Sequence, residues 1–171
     1  MKKILIAMGL AAALAAPARA LDVTPLQIGL AGASAQIFRP ETRVMGLRLN
    51  VALSENADVL GFYAGLFSHA TRLTGIQLNV GNWVDAEFVG VGAGLFNTAG
   101  SATGVQAGLF NTVKHDLNGF QLGVFNAADD VEGFQIGLIN RTVSLRGIQL
   151  GLINVVEGGP VTFFPIVNAA F

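Results

Sequence analysis

The chain has 171 residues, 52% of them apolar and 12% charged, with a formal net charge of −1 and no cysteine. This balance offers no basic surface for nucleic acid, and the absence of thiols excludes both a disulfide framework and a thiol-linked lipid anchor. The length suits one domain, although so apolar a composition is unusual for an exported soluble protein.

The first twenty residues read as a secretory leader. Lys2 and Lys3 form a charged start, residues 4–16 an apolar run too short to cross a bilayer, and Ala18-Arg19-Ala20 a small-x-small cleavage site before Leu21. The expected division is therefore a signal peptide, 1–20, and a single β-repeat domain, 21–171. Removing Lys2, Lys3 and Arg19 leaves seven basic residues against eleven acidic ones, an acidic mature chain.

A first strand is expected at 25–32, where Leu26-Gln27-Ile28-Gly29-Leu30 alternates. Residues 33–44 are less regular, and Arg39-Pro40-Glu41 reads as a turn because proline cannot donate to a strand ladder. From Gly46 onwards a motif G-φ-x-φ-G-φ-φ-N, with φ apolar, recurs from Gly46, Gly61, Gly75, Gly90, Gly104, Gly119, Gly133 and Gly147, with spacings of 14 or 15 residues. A fixed period of this kind marks one supersecondary unit copied in series, each copy leaning on its neighbours. Within a copy such as Gly119-Phe-Gln-Leu-Gly-Val-Phe-Asn126 the apolar residues alternate with Gly, Gln and Gly, which puts hydrocarbon and amide on opposite faces of a strand. Charges fall between motifs. Arg48 alone interrupts this rule, on the Gly/Gln-bearing face.

Two architectures accommodate the pattern. The leading expectation is an up-and-down transmembrane β-barrel of about 10 strands in the outer membrane, with hydrocarbon facing outer-membrane lipid and the amides facing a lumen. A degenerate last copy from Val161 ends on the aromatic Phe171, the feature by which outer-membrane barrels resemble one another, and this resemblance implies engagement of the barrel-insertion machinery. The alternative is an exported parallel β-solenoid with coils of 14 to 15 residues, in the periplasm or at the cell surface, docking a partner or envelope polymer through its Gly/Gln face. Three observations favour it: identical motifs suit parallel stacking, the charge of successive connections alternates in sign, and the outward band is shorter than the roughly 25 Å usual for barrels. Against it stands a thin core, in which Ala128 and Val131 would have to face Phe120, Leu122 and Val124.

Gln77, Gln106, Gln121, Gln135 and Gln149 would line a lumen in the barrel. Asn97, Asn111, Asn126, Asn140 and Asn154 would form an amide ladder in the solenoid. The repeats Gly119–Asn126 and Gly133–Asn140, together with Leu26-Gln27-Ile28, 36–40 and the closing 164–171, resemble those of an uncharacterised bacterial family of surface repeat-containing proteins. That resemblance covers nearly the whole mature chain and implies an envelope location without an activity. Ser68, Asn79, Gly81 and Gly92 depart from the repeat.

No catalytic constellation emerges. Gly90-x-Gly92-x-Gly94 sits inside a strand with no helix to follow, so it lacks the helix terminus that binds phosphate. His69 and His115 are single residues without zinc spacing, and Asp129, Asp130 and Glu132 read as a solvated acidic turn. The expectation is a non-enzymatic protein without cofactor or metal, with a structural, adhesive or narrow-pore role and an unidentified surface ligand.

Overall fold

A computed structural model describes residues 22–171; the leader expected at 1–20 lies outside the described residues. The chain winds into a parallel β-solenoid. Strand β1 (Val23–Ala31) is followed by a short 3-10 turn (Ala33–Ala35) and a long, continuously paired segment, β2 (Arg43–Ala93). Shorter strands β3 (Phe96–Ala107), β4 (Phe110–Val113), β5 (Asp116–Leu122), β6 (Phe125–Ala127), β7 (Asp130–Ile136), β8 (Ile139–Thr142) and β9 (Ser144–Val156) complete the coils, and β10 (Phe163–Ala170) closes the end.

The pairing overturns the barrel. β3, β5, β7 and β9 stack in parallel with Gly104, Gly119, Gly133 and Gly147 in exact register, and β4, β6, β8 and β9 stack in parallel with Asn111, Asn126, Asn140 and Asn154 in register. An up-and-down barrel would require antiparallel neighbours. Only β10 runs antiparallel among the named strands, laid across β9 from Gly147 to Val155. The barrel-insertion role expected of Phe171 rested on a barrel, and here the strand preceding it covers the last coil instead.

Glycine at the head of each motif permits the stacking. The eight head glycines hold φ between 124° and 148°, a region L-residues rarely enter. A Cβ on any of them would lie 1.9–2.4 Å from the carbonyl oxygen one rung below. Coil corners keep their backbone groups paired as well: Gly123 N–H donates to the Ile136 carbonyl and Val124 N–H to the Leu109 carbonyl.

Amides lie inside and hydrocarbon outside, the sidedness expected of the barrel and the reverse of the solenoid reading, which docked a partner through the Gly/Gln face. Leu117 and Gln121 of β5 are buried, whereas Phe120 and Leu122 are exposed. The hydrocarbon part of the core is not built on Phe120, Leu122 and Val124, as the solenoid reading required. Ala128 and Val131 are buried, but they pack in a cluster with Leu117, Val113 and Phe88, while Val124 points outward. Two amide columns fill the remaining interior, so a coil of 14 residues needs little apolar volume.

Candidate functional site

The asparagine column is continuous. Asn82 donates to Asn97 Oδ1 (2.6 Å), and Asn97, Asn111, Asn126 and Asn140 each donate to the next Asn at 2.8 Å, ending at Asn154. Each of these Nδ2 groups also donates to a backbone carbonyl, as Asn126 does to Ile136 at 3.0 Å, which fixes the amide's orientation. The glutamine column runs the other way. Gln149 donates to Gln135 (2.7 Å), Gln135 to Gln121 (2.8 Å) and Gln121 to Gln106 (3.0 Å), while Asn168 of β10 donates to Gln149 at 3.3 Å. Two hydrogen-bonded chains of opposite polarity thus share one interior, each bond strengthening its neighbours while their dipoles oppose along the axis.

These columns account for nine of the ten sequence-derived amide positions. Asn97, Asn111, Asn126, Asn140 and Asn154 and Gln106, Gln121, Gln135 and Gln149 lie within the two ladders, all at most 3% exposed. Gln77 is buried but separated from Gln106 by Gly92, and it accepts from Ser68 Oγ instead. Gly92 replaces a glutamine because the Phe88 ring takes that space: a Cβ at Gly92 would meet Phe88 Cζ at 3.2 Å. The Gly/Gln face therefore cannot dock a partner; it is the inside of the solenoid. Nor does it line an open lumen.

Further towards the amino-terminus the glutamine column changes chemistry. Arg48 and Tyr63 occupy glutamine positions on neighbouring rungs, with the guanidinium carbon 4.0 Å from the Tyr63 ring centre. Arg48 donates to Ser54 Oγ at 3.2 Å, to the Ser54 carbonyl and to the His69 carbonyl. Burial lowers its pKa from the ordinary guanidinium value to about 10, and burial likewise raises that of Tyr63 from 10 to about 12.

The outside is divided. One edge carries the connections, where Lys114, His115, Asp129 and Asp130 are exposed and neighbouring rungs pair opposite charges: Arg43 and Arg72 flank Asp58, at 3.4 and 3.6 Å, and Arg141 Nε meets Glu157 at 2.7 Å. The sign alternation of the sequence thus becomes attraction between rungs. The opposite edge is hydrocarbon on both flanks and across the corner. Phe120 and Leu122 lie on one flank, Phe96 and Phe110 on the other, and Leu95, Leu109, Val124, Leu138 and Leu152 turn the corner, 39–65% exposed. Rings stack along the columns, Phe120 on Phe134 at 4.9 Å and Phe96 on Phe110 at 5.4 Å.

The repeat's departures open a groove beside this edge. Gly81 stands where the rung above has Phe96, and the gap forms an open, mainly apolar groove of about 710 Å³ lined by Phe67, Trp83 and Phe96, with the His69–Asp85 hydrogen bond (2.8 Å) at its side. The sequence marked Gly81 and Ser68 as irregular but did not connect them with Trp83, which lines the same groove. Comparison with family models, curated proteins and solved structures finds no match.

Proposed function

We propose that this chain is a non-enzymatic, exported β-solenoid of the bacterial envelope that acts as an interaction module, and that its contact surface is the hydrocarbon edge. The observation that carries this reading is the continuity of that edge. Large apolar side chains recur at the same outward positions on successive rungs, whereas soluble monomers rarely expose contiguous apolar patches beyond a few hundred Å². The interior offers no rival, since its amides are neutral, buried and bonded to one another. The leader-like start supports export, and the resemblance to surface repeat-containing proteins supports an envelope setting.

The absence of cysteine makes the test clean. Single cysteines placed at Leu122 on the apolar edge and at Lys114 on the charged edge are labelled with a small thiol reagent, in intact envelopes and after purification. The reading expects Leu122→Cys to be protected in envelopes and reactive once purified and dispersed in detergent, with Lys114→Cys reactive in both. Equal labelling of Leu122→Cys in both settings overturns it.

A further inference from the structure

Three features identify what covers the hydrocarbon edge. The first is shape. Apolar columns occupy two flanks and the corner joining them, so the surface is a convex ridge. A second rigid copy laid against one flank leaves the corner and the other flank wet. A fluid conforms to all three.

The second is depth. From Phe120 on the flank to Val124 at the corner is four residues, roughly 13 Å at strand spacing. This is far less than the hydrocarbon core of about 30 Å that a spanning element must match. It is comparable with the ~5–10 Å to which in-plane amphipathic elements sink into a leaflet. The ridge is also long: the glycine stack from Gly46 to Gly147 has seven intervals, roughly 34 Å at ~4.8 Å per strand.

The third is the distribution of polar groups. Among the described residues no charge falls on the corner column or the flank columns beside it. Lys114, His115, Asp129 and Asp130 are confined to the far edge. Between the two zones lies the column containing Thr98, Thr112 and the chain's single tryptophan, Trp83, which is 55% exposed. Tryptophan, with an apolar body and one N–H donor, favours the level where hydrocarbon meets headgroup.

We infer that the solenoid lies on a lipid bilayer with its axis in the membrane plane, the corner column and its two flanks sunk into one leaflet, Trp83 at the headgroup level and the charged edge in water. This rests on the edge being the contact surface, and it names the partner. Because the acidic chain presents no basic patch, attraction comes from hydrocarbon burial and calls for neutral lipid. Binding therefore persists at high salt.

The chain lacking its leader is tested by flotation with phosphatidylcholine vesicles. The expected result is co-flotation unchanged by high salt, a blue shift of Trp83 emission, and quenching of that emission by lipids brominated near the headgroup end of the acyl chain. Leu109→Glu with Val124→Glu, on the outward corner, is expected to weaken binding at least about tenfold, while Lys114→Glu leaves it unchanged. Should the double variant fold poorly, quenching in the unaltered chain decides. No co-flotation and no quenching, or sedimentation of the vesicle-free chain as a closed dimer that ignores vesicles, overturns the inference. In either case, protection of Leu122→Cys in envelopes still upholds the apolar edge as a contact surface covered by something other than lipid. Flotation without such protection overturns the contact-surface reading instead.

Discussion

The two halves of the solenoid share one winding but solve the problem of a polar interior differently. From Asn82 to Val156 each interior amide finds an identical partner on the next rung, and neither ladder leaves a buried side-chain amide atom without a bond. Between Arg48 and Asn79 the same columns hold one-off residues: Arg48 and Tyr63 replace glutamine, Asn50 and Asn79 replace glycine, and Ser68 replaces asparagine. Among the described residues the four buried side-chain atoms that lack a partner, Arg48 Nη1, Asn50 Oδ1, Asn56 Oδ1 and Asn79 Oδ1, all belong to this stretch. Repetition satisfies hydrogen bonds because each residue that donates meets a copy that accepts. A single substituted rung faces neighbours shaped for something else, and burial without a partner costs about 1–3 kcal/mol per group.

The sharpest way to break the regular half is Gly119→Ala. The added Cβ would sit 2.1 Å from the Gly104 carbonyl oxygen at a φ of 140°, and because every near atom is Gly104 backbone there is no side chain to move aside. We expect a loss above about 4 kcal/mol, the range reserved for severe core disruption, or failure to fold. Gly32→Ala is the control: its φ is also positive, but no atom lies within 4 Å of the added Cβ, so it costs only about 1 kcal/mol. Urea unfolding of both variants checks the difference.

Asn126→Ala comes next. It deletes donors to Ile136 and Asn140 and the acceptor for Asn111 at once, and is expected to cost about 2–4 kcal/mol from the groups left unpaired and the space left behind. Asn154→Ala, at the end of the ladder, removes one acceptor and one local bond to Gly151 and costs roughly half as much. Equal losses would show that the ladder is not cooperative.

Much of this was legible in the sequence, and the failures have physical causes. The period, the strand faces and the sign alternation of the connections were all readable, because each is a property of one rung or of its sequence neighbours. The direction of pairing was not. Gly119-Phe-Gln-Leu-Gly-Val-Phe-Asn126 is nearly symmetric about Leu122, so it presents the same apolar band whichever way its neighbour runs. Preference for a barrel followed from expecting a solenoid to bury hydrocarbon against Phe120, Leu122 and Val124. The actual filling is Gln121 and Asn126, whose ladders become visible only once the register is known. Tyr63 was passed over because an aromatic at a glutamine position looks like noise until Arg48 is seen stacked on it.

That pair supplies a smaller, pH-dependent test of the irregular half. Tyr63 has its pKa raised from 10 to about 12, so the folded state holds its proton longer than the unfolded one, and this contribution, fully present below pH 10, is lost as pH rises towards 12. Arg48 has its pKa lowered from the ordinary guanidinium value to about 10. Its burial penalty is therefore relieved as pH rises from 10 towards the ordinary guanidinium value, and stability gains. The two slopes oppose, leaving the unaltered chain nearly flat across that window. Tyr63→Phe removes the falling slope, so its stability relative to the parent should increase by roughly 2 kcal/mol between pH 10 and 12. Absorbance of the single tyrosine provides the direct check, with tyrosinate forming near pH 12 in the folded chain; a midpoint near 10 would refute the burial.

The mildest substitution addresses whether the irregular half is a flaw or an opening. Gly81→Phe gives the rung the aromatic that Phe96 and Phe110 supply above it. The first atom its Cβ meets is Phe67 Cδ1 at 2.7 Å, on a half-exposed ring with room to swing away. Restored stacking offsets that adjustment, so stability should change by less than about 1 kcal/mol. The groove beside Trp83 should nevertheless close, and acrylamide should quench Trp83 less effectively than in the parent. Unchanged stability together with reduced quenching would show that folding does not depend on the missing phenylalanine and that its absence has one effect, a recess at the rim of an otherwise uniform hydrocarbon edge. A large loss of stability would instead mean that Phe67 is locked in place, and that this part of the molecule is as intolerant of change as the ladders.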